Sequence, residues 1–116
     1  MAEDGCLFCG IVARDVPATI VREGARTVAF RDINPQAPTH VLVIPREHYP
    51  NAAAVAAADA GLLAEVFSEA AAVADAEGVA GDGYRLVTNT GDAAGQTVHH
   101  LHVHVLGGRT FTWPPG

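Results

Sequence analysis

The sequence predicts an α+β domain with a largely antiparallel five-stranded sheet, one long helix and one short helix. Three observations carry this. Five short β-rich runs are separated by turn residues, residues 51–77 are rich in alanine with an apolar stripe, and no repeat or linker divides the 116 residues. With 49% apolar and 17% charged residues the chain is composed like a folded domain rather than a disordered tail. At this length a single domain spanning 1–116 buries roughly two-thirds of its unfolded surface.

Taken in order, Leu7 to Arg14 predicts the short helix, closed by Pro17, which lacks the N–H a helix interior needs. Thr19-Ile20-Val21-Arg22 and Thr27-Val28-Ala29-Phe30-Arg31 predict a hairpin about Glu23-Gly24, and Asp32 to Pro38 is a proline-bearing loop. His40-Val41-Leu42-Val43-Ile44 is nearly all apolar, the pattern of a central strand buried on both faces. Asn51 to Glu77 has the composition of highest helix propensity, with Leu62, Leu63, Val66, Phe67, Ala70 and Val73 forming the stripe. Asp59 is a candidate N-cap and Gly78 a candidate stop. Tyr84 to Asn89 predicts a strand, Gly91 to Gly95 a glycine loop, and Val98 to Leu106 the last strand, while Trp113-Pro114-Pro115-Gly116 fits no regular element.

Charge narrows the function. Seven Lys+Arg against thirteen Asp+Glu leave a net −6 with no basic block, which excludes binding to a nucleic-acid polymer through neutralised phosphates. No apolar run reaches the ~20 residues that span a bilayer, and Met1-Ala2-Glu3-Asp4 is acidic where a signal peptide is basic, so a cytoplasmic protein is expected. Cys6 and Cys9 are too few for a disulfide framework. Against this background, six histidines in a chain without lysine stand out.

His100, His102 and His104 alternate with Leu101, Val103 and Val105. On a strand, side chains two apart share a face at roughly 7 Å spacing, so three imidazoles line one face and the apolar partners bury the other. His99 falls out of phase and is expected to point with Leu101 and Val103. A plain polar face draws on Thr, Lys, Glu and Ser instead. Imidazole, with an ordinary pKa of ~6.5, offers a free nitrogen at neutral pH and suits nucleophilic or acid–base chemistry. Upstream, Gly91-Asp92-Ala93-Ala94-Gly95-Gln96-Thr97 lets backbone N–H groups turn toward an anion, with Asn89 and Thr97 adding neutral donors. Local, preorganised donors allow an acidic protein to hold an anionic substrate.

The His-x-His-x-His run and its two following apolar residues resemble the histidine triad (HIT) family of nucleotide-binding hydrolases. Phe30-Arg31-Asp32-Ile33-Asn34-Pro35-Gln36-Ala37-Pro38-Thr39-His40 and Leu42-Val43-Ile44-Pro45 are similar to that family's nucleoside-binding segment. Gly95-Gln96-Thr97-Val98, Leu106-Gly107-Gly108-Arg109 and the Trp113-Pro114-Pro115-Gly116 tail resemble its purine nucleoside phosphoramidase branch. The resemblance implies hydrolysis of the P–N bond of a nucleoside 5′-phosphoramidate, an AMP amide or AMP-amine, through a nucleotidyl-histidine on His102. It places His104 on the phosphate, His40 beside it in proton transfer, and Asn89, Thr97 and the backbone near Gly95 and Gln96 on the phosphoryl oxygens. Thr97 stands where many relatives have serine, and the hydroxyl is retained. Asp32 would accept the ribose hydroxyls, although an aspartate before Asn34-Pro35 also suits a turn cap. Phe8, Val16, Phe30, Ile33 and Leu42 would enclose the purine. The family is homodimeric, extending the sheet across the dimer, which would bring Trp113 to the partner's leaving-group pocket.

Cys6-Leu7-Phe8-Cys9 has the spacing that places two sulfurs on one tetrahedral metal; two buried thiols or a redox pair share it. Some bacterial relatives carry zinc with this motif, and the matching positions are Cys6, Cys9, His48 and His100. With no open coordination position such zinc would be structural, and catalysis would need no cofactor. Competing functions are a dinucleoside polyphosphate hydrolase or nucleotidyl transferase using the same histidine, and a non-catalytic nucleotide- or zinc-binding interaction module. The intact triad weighs against the module, and the tail against the polyphosphate enzyme.

Overall fold

The computed structural model describes residues 3–116; Met1 and Ala2, part of the acidic start read above, lie outside the described residues. Strands β1 (Ile20–Glu23), β2 (Thr27–Arg31), β3 (Thr39–Pro45), β4 (Tyr84–Val87) and β5 (Val103–Gly107) form one antiparallel sheet in the order β1-β2-β3-β5-β4. Its centre is β3, buried at every position as its apolar run requires.

Because strand side chains alternate, the sheet's two faces carry two different cores. Val41, Val43, Val103 and Val105 pack beneath α3 (Ala60–Ala76), whose Leu62, Val66, Ala70 and Val73 form a fully buried stripe. Phe67, counted in the stripe above, is 38% exposed instead. Val28, Phe30, Leu42 and Ile44 face the other way and meet Phe8 and Ile11 of α1 (Leu7–Val12). Each such aliphatic side chain contributes about 1.5–3 kcal/mol on burial, so β3 is clamped from both sides. That leaves His40 on a rigid support.

Several boundaries differ from the sequence reading, among them β4, which ends at Val87 rather than Asn89. The alanine-rich stretch is two helices, α2 (Ala52–Ala58) and α3, broken at Asp59, whose φ of −157° is not helical. Asp59 Oδ1 accepts from Leu62 N–H at 3.1 Å while Oδ2 accepts from Arg26 at 2.7 Å, so cap and ion pair together outweigh alanine's preference to continue. The first helix ends at Val12, ahead of Arg14, which takes a left-handed φ of 67° well before Pro17. The last strand starts at Val103 rather than Val98. Its ladder with β3 stops at the Val43–Val103 pair, because Pro45 has no N–H with which to continue it. Residues 98–102 find other partners: Leu101 N–H donates to the Tyr49 carbonyl at 2.7 Å, and Thr88 Oγ1–H donates to the His102 carbonyl at 2.9 Å.

No helix is long and apolar enough to cross a membrane among the described residues.

Candidate functional site: an imidazole relay beside a four-donor cluster

The alternation of the histidine run survives without a strand over its first half. Leu101, Val103 and Val105 go into the core beneath α3, while His102 and His104 turn to the α1 face. Phe8 meets the His102 ring edge-to-face at 5.0 Å, and the His102 and His104 rings are 5.1 Å apart. His104 lies opposite Leu42 in the β3–β5 register, which brings it within reach of His40 two residues earlier on β3. His99 is exposed, not packed with Leu101 and Val103.

Hydrogen bonding settles which nitrogen of each ring holds the proton. The Gln36 N–H donates to His40 Nδ1 at 3.0 Å, so His40 carries its proton on Nε2. That Nε2–H donates to His104 Nδ1 at 2.9 Å, with Asp32 Oδ2 at 3.4 Å. His104 therefore holds its proton on Nε2, at the outer edge of the ring. His102 Nδ1–H donates to the His100 carbonyl at 2.8 Å, because a carbonyl can only accept. Its Nε2 keeps a free lone pair.

Burial sharpens this arrangement. His40 and His102 are pushed below the ordinary imidazole value chiefly by burial, opposed at His40 by the Asp32 carboxylate and at His102 by its bond to the His100 carbonyl. His104 is lowered to about 4 by burial and then by the neighbouring His102 and His40. At neutral pH all three are uncharged.

These rings border a cavity of about 340 Å³. Phe8, Val16, Phe30, Ile33 and Leu42 supply its apolar wall, while Asp32, Thr97, His102 and His104 supply polar groups. Ile33 is fully exposed at the mouth. Asp32 does cap the following turn, since Oδ1 accepts Asn34 N–H at 2.8 Å. A larger groove of about 580 Å³, bordered by Val79, Tyr84, Arg85 and Phe111, contains no imidazole or thiol.

The glycine loop corrects one expectation. Gly91 and Gly95, both at φ 86°, let it curl into a short 3₁₀ turn, Asp92–Ala94, that uses its own donors. The N–H groups of Ala94 and Gln96 donate to the Gly91 carbonyl, and that of Gly95 to Asp92. Gln96 is buried with its side chain spent on Gly91 N–H and on the Pro50 and Val98 carbonyls. Gly95 and Gln96 hold the loop in shape, and Thr97 is the residue of Gly91–Thr97 that reaches the cavity. Asn89, half-buried, and Trp113, 82% exposed, are not among the residues that line the cavity.

On the other side of His102 a second cluster forms. One donor atom from each of Cys6, Cys9, His48 and His100 lies within 4.8 Å of the others. His100 Nδ1 is 3.5 Å from both sulfurs, and His48 Nδ1 is 3.3 Å from Cys9 Sγ. His100 Nε2–H is already given to the Pro45 carbonyl at 2.9 Å, while His48 Nε2 lies 3.1 Å from the Glu3 carboxylate. The Pro45 bond leaves the His100 Nδ1 lone pair aimed at the thiols, the tautomer a metal requires, and His48 Nδ1 faces Cys9 as well. Two thiolates and two imidazoles make a closed tetrahedral set, which suits structural zinc. Burial pushes the Cys9 thiol up and lowers His100 to about 4, so the site favours neutral rings.

A HIT domain model matches residues 13–111. The chain belongs to the HIT family. A purine nucleoside phosphoramidase of Escherichia coli K12 is 46% identical over 109 residues, 94% of this chain and 91% of that protein. A 14 kDa zinc-binding protein of Zea mays is 44% identical over 112 residues, 95% of this chain and 87% of its own length. The crystal structure of a HIT family hydrolase from Legionella pneumophila Philadelphia 1 has a TM-score of 0.92 at 50% identity, covering 97% of this chain and 100% of that one.

This HIT chain uses several residues that sequence reasoning passed over. Leu7, Ile11, Pro17 and Ala18 also line the cavity. Ile11 follows Phe8 by one helical turn, a spacing that could have found it. Gln36, Thr88 and Glu3 act through backbone or long-range contacts that leave no pattern in the sequence.

Proposed function

We propose that this HIT family protein hydrolyses nucleoside 5′-phosphoramidates, releasing a nucleoside monophosphate and an amine, and that residues 1–116 carry this as one domain. The observation that carries the reading is His102: its Nδ1–H is held by the His100 carbonyl, which leaves Nε2 free, and the residue borders an apolar cavity large enough for a purine nucleoside. The phosphoramidase relative favours the P–N bond as the one broken.

In this reading His102 Nε2 attacks the α-phosphorus, the P–N bond breaks, and a nucleotidyl-histidine forms; water then displaces His102. His104 Nε2–H, kept outward because Nδ1 accepts from His40, donates to the phosphoryl group and the departing amine. His40 Nε2–H holds the His104 ring in that orientation, and the proton given to the amine returns from the water that hydrolyses the nucleotidyl-histidine. Thr97 Oγ1 and Asn89 donate to the phosphoryl oxygens, with Gly95 and Gln96 setting the loop. Asp32 accepts the ribose hydroxyls, while Phe8, Val16, Phe30, Ile33 and Leu42 enclose the base. Trp113 reaches substrate across a homodimer formed through the open β4 edge of the sheet. Structural zinc on Cys6, Cys9, His48 and His100 would tie α1 to the segment that leads into β5 and supply no catalytic chemistry. A cytoplasmic setting, where free thiols persist, belongs to the same reading.

The test is kcat/KM on an AMP amide beside a diadenosine polyphosphate. Faster turnover of the amide supports the reading; preference for the polyphosphate sinks it. Asp32→Ala is expected to erase discrimination between ribose and deoxyribose substrates, and unchanged selectivity would remove the ribose role.

A further inference from the structure

His100 belongs to both clusters. Its ring sits among the sulfurs, Nδ1 at 3.5 Å from Cys6 and Cys9, with Nε2–H tied to the Pro45 carbonyl. Its backbone carbonyl is the acceptor that holds His102 Nδ1–H at 2.8 Å. Cys6, Cys9 and Phe8 share one short segment: Cys6 Sγ caps α1 by accepting Cys9 N–H at 3.4 Å, and Phe8 lies between the cysteines. From there the Phe8 ring meets His102 at an interplanar angle of 89° and His100 at 72°. A six-residue helix is too short to hold itself in water, so what anchors α1 also anchors Phe8.

We infer that zinc bound by Cys6, Cys9, His48 and His100 sets the orientation of His102, so that metal loading controls nucleophile readiness as well as stability. The inference rests on the nucleophile reading of His102 given above. Two routes converge on that ring. Through His100, the cluster fixes the carbonyl that selects the His102 tautomer. Through α1, it fixes the aromatic wall against which the ring stands. Without the metal, the sulfurs offer only weak S–H contacts at 3.3–3.5 Å to hold these rings, far less directional than coordination. His100, Cys6 and Cys9 are then positioning residues, with Phe8 the side chain through which the helix acts.

The experiment compares the full chain stripped of metal by a chelator, the same protein reloaded with zinc, and His48→Gln, which deletes one ligand while leaving His100 and its Pro45 bond untouched. The side-chain Nδ1–H of His102 is followed by proton–nitrogen NMR, alongside kcat and KM on an AMP amide and far-ultraviolet circular dichroism. Metal removal is expected to speed exchange of that Nδ1–H and lower kcat by about tenfold or more, with a smaller change in KM and the sheet signal retained. Zinc should restore both, and His48→Gln should need higher zinc to do so. Nδ1–H exchange that stays within about twofold in the two states, or a chain that takes up no zinc, overturns the inference. If neither state turns over phosphoramidates, the proposed function fails by itself, because the Nδ1–H measurement still reports the coupling.

Discussion

Around His48 and His100, both rings turn Nδ1 toward sulfur, and His100 gives its Nε2–H to the Pro45 carbonyl. Around His40 and His104, the donor atoms are just as close, since Asp32, His40 and His104 also fall within 4.8 Å of one another. There, however, Gln36 N–H occupies His40 Nδ1, so the proton must stand on Nε2, between the two rings. A metal on His40 Nε2 would force a proton onto Nδ1, facing another N–H. One backbone amide thus ties the second cluster into a hydrogen-bonded imidazole pair, whereas the first keeps its donor atoms turned to one another, as a metal set would need. Proximity of ligand-type residues does not distinguish them; the partners behind the rings do.

That contrast can be attacked from several directions. The largest effect is expected from His102→Ala, which should abolish nucleotidyl-enzyme formation and lower turnover by roughly four orders of magnitude or more while still binding AMP. A radiolabelled adenylyl group trapped on that variant would contradict the assignment. Next, His40→Ala should lower kcat by about 10²-fold or more and leave zinc stoichiometry at one per chain, since relay and metal set are separate. Chelation should do the reverse in a melting experiment, lowering Tm by roughly 10 °C, whereas His40→Ala should move it much less. A sharper probe is Gln36→Pro, which deletes the amide donor. Metal titration should then show a second, weaker zinc per chain, and its absence would show that the amide does not decide the tautomer.

The smallest effect concerns pH. His40 and His104 are neutral when folded and have lowered values, His104 to about 4. The unfolded chain therefore takes up protons first. Their contribution to stability is complete above ~6.5 and is lost as pH falls from there toward the folded value. Denaturation at pH 7, 6 and 5 should show declining midpoints, and His40→Ala should flatten the slope. A midpoint that rises on acidification would count against neutral rings in the relay.

Much of the site was legible because period-two alternation survives wherever the chain is extended. Leu101, Val103 and Val105 had to be buried, which obliged His102 and His104 to face the other side even where no ladder forms. The break at Asp59 was half legible: the cap was visible, but Arg26, which adds the ion pair, comes from the β1–β2 turn. The glycine loop was misread because glycine licenses a left-handed turn without saying whether the amides point inward or outward. The folded loop shows the N–H groups of Ala94, Gly95 and Gln96 bonded to its own carbonyls and that of Gly91 to the buried Gln96 side chain.

What the order of residues decided was local: where strands and helices run, which side of the sheet is apolar, and which residue types stand ready as ligands or nucleophiles. Alternation and helical period are properties of neighbouring residues, so they are written in the chain. Tertiary structure decided the protonation pattern. The partners that assign each imidazole proton are a carbonyl at Pro45, one at His100, an amide at Gln36 and the His40 ring beside His104. Three of these four come from backbone atoms, identical in every residue type, so no residue pattern could mark them before folding brought them to the rings.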